Sequence, residues 1–338
     1  MTAQGTGLIF DERYLLHDTG TQTTVQMRGG SFTLAPEPHP SSTSITRRIK
    51  QFLDGSGLTA MMQPIAARSA TEDELTVYHT REYIAGVRAH VAGGPAHGAW
   101  GEIESDTPLS AGSFEAAVYA AGGAMNAVQA VMESRVRNAY ALLRPPGHHA
   151  MSNRGMGFCV FNNAVIAAHY ARKTYGLERI LIVDWDVHHG NGTQDIFYAD
   201  GGVEFFSIHR YPFYPGTGAA DETGTGHGLG RILNVPIRYG TPRQEYRSAF
   251  ASALEKAADA IKPELVLLSA GFDAHAADPI GSLGLEVEDF AEMTKRVLDV
   301  ARTHAGGRLV SCLEGGYDLA ALAASVQAHL EELLGAAG

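Results

Sequence analysis

The sequence predicts a single-domain α/β fold, a doubly wound, mostly parallel sheet. Three observations lead there. Short apolar, β-branched runs alternate with amphipathic stretches from end to end, and several are continuously apolar, as expected for strands buried on both faces of a parallel sheet. No Pro/Ser-rich linker, low-complexity tract or internal repeat divides the 338 residues. Residues 1–338 therefore read as one domain, although ~100–200 residues per domain would also allow two. Ionisable residues gather just after the strand candidates, where ligands bind in such sheets.

In chain order, the strand candidates are residues 7–10, 139–143, 180–184, 203–209, 232–235, 265–269 and 309–313. Between them lie helical patterns. The clearest starts at Thr241, read as an N-cap with Pro242 at the first helical position and Gln244 completing a capping box. Its Tyr246, Phe250, Leu254, Ala257 and Ile261 recur at helical spacing on one face. Val287, Phe290, Met293, Val297 and Val300 repeat the pattern in the next helix. Residues 18–42, rich in Thr, Gly and Pro, read as a long surface loop ahead of a basic helix start at residues 46–50.

Composition narrows the function. The chain is 45% hydrophobic, enough for a sizeable core. Lys plus Arg is 26 against 37 Asp plus Glu, a net charge of −11. Without a basic block, the chain lacks the footprint of a nucleic-acid binder or an anionic-membrane reader. No run approaches the ~18 apolar residues of a membrane span, and residues 1–7 show no secretory n- and h-regions. Two cysteines, Cys159 and Cys312, cannot build a disulfide framework. The expectation is a soluble, cytoplasmic protein.

Four clusters carry chemistry, each after a strand candidate. Arg144-Pro145-Pro146-Gly147-His148-His149 puts two imidazoles on a Pro/Gly-fixed loop, suited to proton transfer by their ordinary pKa near ~6.5; a solvated His pair is the plain alternative. Asp184-Trp185-Asp186-Val187-His188-His189-Gly190-Asn191-Gly192 places Asp186 and His188 two apart. In extended chain they share a side and can grip one cation, with Asp184 of the same parity behind them. Helix capping is the alternative for these carboxylates. Ser269-Ala270-Gly271-Phe272-Asp273-Ala274-His275 adds Asp273 as a third ligand. An O/N/O set leaves a fourth position for water, the pattern of a catalytic zinc. Glu314-Gly315-Gly316-Tyr317 offers a phenol to a developing oxyanion, though Gly-Gly-Tyr alone is more often a turn.

Together with Gly157-Phe158-Cys159-Val160-Phe161-Asn162-Asn163 and Ser207-Ile208-His209, these clusters resemble the histone deacetylase family of the arginase–deacetylase superfamily. The resemblance covers roughly residues 5 to 335. Asn191, where class I members carry Asp, makes it class II-like, similar to the bacterial histone deacetylase-like amidohydrolases. The resemblance implies one catalytic Zn2+ on Asp186, His188 and Asp273. His149 would be general base and then acid, His148 its electrostatic partner oriented by Asp184, and Asn191 the group orienting His149. Tyr317 would polarise the acyl carbonyl. Phe158 and Tyr214, the latter usually Phe, would wall an acyl-lysine channel with Gly315 at its floor. Structural K+ would use the Asp184 side chain, Ser207 and carbonyls near Asp186, His188 and Ile208, with a second site near Phe197. His209 and His275 would be scaffold.

The implied substrate is an acylated lysine or a small acylated amine. Relatives acting on acetylated polyamines place an acidic gatekeeper in the loop after the third metal ligand; here that loop reads Asp278-Pro279-Ile280-Gly281, with apolar Ile280 at the position, although Glu104 or Asp106 can still recruit a cation. An arginase-like ureohydrolase would need a second acidic ligand two residues after Asp273, where His275 stands. A non-catalytic acyl-lysine reader would need neither the His pair nor Tyr317. A homo-oligomer, dimer or tetramer, would find an interface in residues 18–42.

Overall fold

A computed structural model describes residues 5–27, 30–93, 97–98, 101–104 and 106–336. The chain opens on β1 (Thr6–Ile9), then a hairpin of β2 (Thr21–Met27) and β3 (Gly30–Pro38). α1 (Thr43–Gly55) leads to β4 (Gln63–Ile65), followed by α2 (Glu72–Leu75) and α3 (Arg81–Val91). Next come β5 (His97–Gly98), β6 (Gly101–Ile103), α4 (Ser113–Met132), β7 (Asn138–Ala141) and β8 (Arg154–Gly155). α5 (Asn163–Tyr175), β9 (Ile180–Asp184), α6 (Asn191–Phe197), β10 (Val203–Arg210) and β11 (Ile232–Ile237) continue the alternation. The chain ends with α7 (Arg243–Ile261), β12 (Leu265–Ala270), α8 (Val287–His304), β13 (Leu309–Leu313) and α9 (Leu319–Ala336).

Eight strands form one sheet in the order β11-β10-β9-β12-β13-β7-β1-β4. Every pairing in it is parallel, so the sheet is wholly rather than mostly parallel. Its strands obey period two. In β9, Leu181 and Val183 join the core under α1, α7, α8 and α9. Ile180 and Ile182 join the core under α4 and α5 on the opposite face. β12 divides the same way, Val266 and Leu268 against Leu265 and Leu267. Both faces are covered by helices, which is why these strands read as unbroken apolar runs.

The order positions the site. β9, β12, β13 and β7 are consecutive neighbours at the sheet centre, and the four clusters follow these four strands at their carboxyl ends.

Three further expectations are corrected. Residues 18–42 are not a structureless loop: β2 and β3 pair antiparallel, from Met27↔Gly30 to Thr21↔Pro38. The run of Thr, Val, Phe and Leu there carries strand propensity that the Gly and Pro content obscured. The helix expected to be capped by Thr241 begins one residue later. Pro242 is the N-cap, extended at ψ 137° and making no side-chain cap, while its carbonyl accepts from Glu245 and Tyr246 N–H. Likewise, α1 starts at Thr43, ahead of the basic residues.

Candidate active site

The metal candidates converge at the ends of β9 and β12. Past Asp184 the backbone leaves the strand and bends, so Asp186 and His188 meet for a reason other than extended parity. The Asp184 carboxylate accepts from Asp186 N–H at 3.1 Å, and Asp186 Oδ1 accepts from His188 N–H at 2.9 Å. These short-range bonds fold the segment into successive turns. Trp185 anchors it from the other side, edge-on to Phe250 and Phe272 in the core.

His188 Nδ1 ends 3.0 Å from Asp186 Oδ1 and 3.1 Å from Asp273 Oδ2. Asp273 Oδ1 accepts from Val187 N–H at 2.7 Å, but its fully buried Oδ2 has no hydrogen-bond partner. Burial pushes His188 down, yet its bond to Asp186 and the nearby charge of Asp273 outweigh that and hold it up at about 9. A cation seated among the three would displace that proton and complete Asp273. Glycine makes the room. A Cβ at Gly315 would stand 2.5 Å from Asp273 Oδ2 and 2.6 Å from Asp186 Oδ2, and one at Gly271 would stand 2.1 Å from Asp186 Oδ2.

The two imidazoles after β7 have opposite electrostatic surroundings. Their ring centroids are 4.0 Å apart. Burial disfavours the His148 cation, but Asp184, 3.0 Å from its Nδ1, and Asp186 overcome this and raise it to about 10. His149 is pushed well down, by burial first and then by His148 and His188. Its Nδ1 meets Asn191 Oδ1 at 2.7 Å.

A cavity of about 240 Å3 opens onto this centre, lined by His149, His188, Phe158, Tyr214, Ile280 and Tyr317, with Asp106, Gly157 and Phe213. Phe158 takes the left-handed φ of 68° that turns its ring into the wall, edge-on to Tyr317 at 5.7 Å. Tyr214 stands edge-on to His149 at 5.2 Å. Gly315 lies beneath the carboxylates, its N–H donating to Asp186 Oδ2 at 2.8 Å. Ser207 is the register partner of Asp184, followed on β10 by Ile208, while Phe197 ends α6 in the core. His209 holds Gly218 O at 2.9 Å, and His275 stacks on Phe290. Neither joins the three metal candidates.

A histone deacetylase domain model matches residues 39–333. The chain belongs to the histone deacetylase family. A histone deacetylase-like amidohydrolase of Pseudomonas aeruginosa is 39% identical over 333 residues, covering 98% of this chain and 86% of the relative. Human polyamine deacetylase HDAC10 is 42% identical over 286 residues, 82% of this chain but 42% of that protein. Among solved structures, the HDA15 HD domain superposes with a TM-score of 0.87 at 38% identity, covering 99% of this chain and 89% of its own. Family membership makes this an enzyme of the deacetylase and amidohydrolase type.

The candidate site in this histone deacetylase family member also contains residues that sequence reasoning passed over. Phe213 lies in the cavity wall, stacked on His188 with centroids 5.2 Å apart; its only signal was an aromatic beside Tyr214. Glu314, quoted in a motif but given no role, holds the His pair in place. It accepts from Gly147 and His148 N–H at 2.7 and 3.2 Å and from Ser269 Oγ at 2.9 Å. Those donors occupy both its oxygens, so its grouping with His148 and Cys159 is already satisfied without an ion. Asp278 accepts from Ile280, Gly281 and Tyr317 N–H, tying the cavity mouth to the phenol.

Proposed function

We propose that this histone deacetylase family member is a zinc-dependent amidohydrolase removing acetyl or related acyl groups from acyl-lysine-type amides, with residues 1–338 acting as one catalytic domain in the cytoplasm. The reading is carried by Asp186, His188 and Asp273 meeting at the end of a cavity whose wall also holds His149 and Tyr317. The unpartnered Asp273 Oδ2 fits a metal, and Asp186, His188 and Asp273 would hold it. When bound, zinc supplies Lewis acidity toward a water and the acyl oxygen. His149, neutral at physiological pH, takes the proton from water at Nε2 and returns it to the departing amine. His148, held cationic by Asp184, stabilises negative charge beside it. The Tyr317 hydroxyl, kept protonated by burial and then by Asp273 and Asp186, donates to the acyl oxygen as charge develops. Phe158, Phe213 and Tyr214 flank the aliphatic stem. Structural potassium would be held by Asp184, Ser207 and the carbonyls of Asp186, His188 and Ile208, with a second ion near Phe197. The cytoplasmic setting agrees with two free, buried thiols.

Metal analysis is expected to find about one zinc per chain, tightly held by an O/N/O set with a free fourth position. Two manganese ions with guanidine hydrolysis would instead establish the ureohydrolase reading. His275 argues against that outcome: its Nδ1 accepts from Ala277 N–H, and its Nε2 lies 3.7 Å from Glu286.

Acetylpolyamine hydrolysis is the second reading, favoured by Asp106 in the cavity lining and by the human polyamine deacetylase relative. Asp106 is already engaged, accepting from Thr107 Oγ1 at 2.8 Å and from Gly157 N–H. Half-buried Ile280 presents apolar surface at the mouth. Ile280→Glu is expected to shift the ratio of kcat/KM toward acetylspermidine over an acetyl-lysine peptide by about 5-fold or more, since a nearby carboxylate attracts an ammonium by ~1–4 kcal/mol. A wild-type preference for the polyamine, or no shift in the variant, would remove Ile280 from selectivity.

A further inference from the structure

Asn191 Oδ1 faces His149 Nδ1, while its Nδ2 faces three groups that only accept. These are Met151 Sδ at 3.1 Å, Met156 Sδ at 3.5 Å and the His149 carbonyl at 3.4 Å. An amide turned end for end has nearly the same shape, so packing alone does not choose between its two orientations. The acceptors do choose. A reversed amide would set its oxygen against two thioethers and a carbonyl, none of which can donate. With Oδ1 held toward the imidazole, Nδ1 must carry the proton and Nε2 keeps its lone pair. A second cavity, of about 380 Å3, reaches Met151, Met156 and Asn191. Water entering there could pair with the amide in either orientation, so the choice rests on the fixed acceptors.

We propose that Met151 and Met156 are positioning residues. Their thioethers lock the Asn191 amide and, through it, the Nδ1–H tautomer of His149 that leaves Nε2 free for proton transfer. This rests on the reading of His149 as the base.

The test is a double-mutant comparison on the zinc-loaded enzyme. Met→Leu conserves volume but removes the acceptor. Met151→Leu with Met156→Leu is expected to lower kcat about 3- to 10-fold with KM unchanged, the cost of one modest hydrogen bond. In an Asn191→Asp background either carboxylate oxygen accepts from Nδ1–H, so no amide needs orienting. The same pair should then change kcat by less than about 2-fold. Equal falls in both backgrounds, or no fall in either, would overturn the thioether role alone. An inert wild-type protein would instead remove the reading of the site on which the role depends. Should the double Leu variant fail to fold, Met151→Leu alone, at the half-buried sulfur nearer Asn191, carries the same comparison.

Discussion

His149→Ala is expected to lower kcat on an acetyl-lysine peptide by about 10³-fold or more, toward the upper end for loss of one acid–base group. Both proton movements of the proposed reaction fall on this imidazole, so one substitution removes the base and the acid together. His148 cannot replace it. Its Nδ1 is committed to Asp184 at 3.0 Å, and its pKa, raised to about 10 by Asp184 and Asp186 against the effect of burial, keeps it charged at neutral pH. A charged imidazole has no lone pair with which to take a proton from water. Zinc content and hydroxamate binding should survive, because Asp186, His188 and Asp273 meet without His149. Turnover near that of the wild type would show that the proton passes elsewhere.

The sequence made the sheet centre legible because both its faces are buried. Residues 180–183 and 265–268 are apolar without interruption and 309–313 are broken only by Ser311, and the strands Ile180–Asp184, Leu265–Ala270 and Leu309–Leu313 occupy them. The rule that ligands sit beyond strand ends then singled out the four clusters. What no local pattern carries is strand order. That β12 and β13 enter between β9 and β7 is decided by helix packing over the whole domain, yet it alone brings Asp273 and Tyr317 toward Asp186. The supporting bonds were hidden for the same reason. Glu314 reaches Gly147 across 167 positions of sequence, and Asp278 reaches Tyr317 across 39. In the β2–β3 hairpin, Gly and Pro mask the strand propensity of the Thr and Val between them.

Tyr317→Phe should lower kcat by about 10²–10³-fold, the usual cost of one oxyanion donor. The substitution removes an oxygen and leaves the supports of the ring. Phe158 still meets it edge-on at 5.7 Å, and the Asp278 carboxylate still accepts from the residue's N–H at 2.8 Å. Gly316 still supplies the φ of 140° that delivers the aromatic ring to the cavity. The phenol is suited to donate at any working pH, because burial and then the Asp273 and Asp186 charges push its ionisation far upward. Its bond should strengthen as the acyl oxygen gains charge, so the loss belongs in kcat, with KM and hydroxamate binding little changed. A variant that raised KM with kcat intact would show that Tyr317 holds substrate equally in ground and transition states. Turnover near that of the wild type would leave the developing charge to the metal site alone.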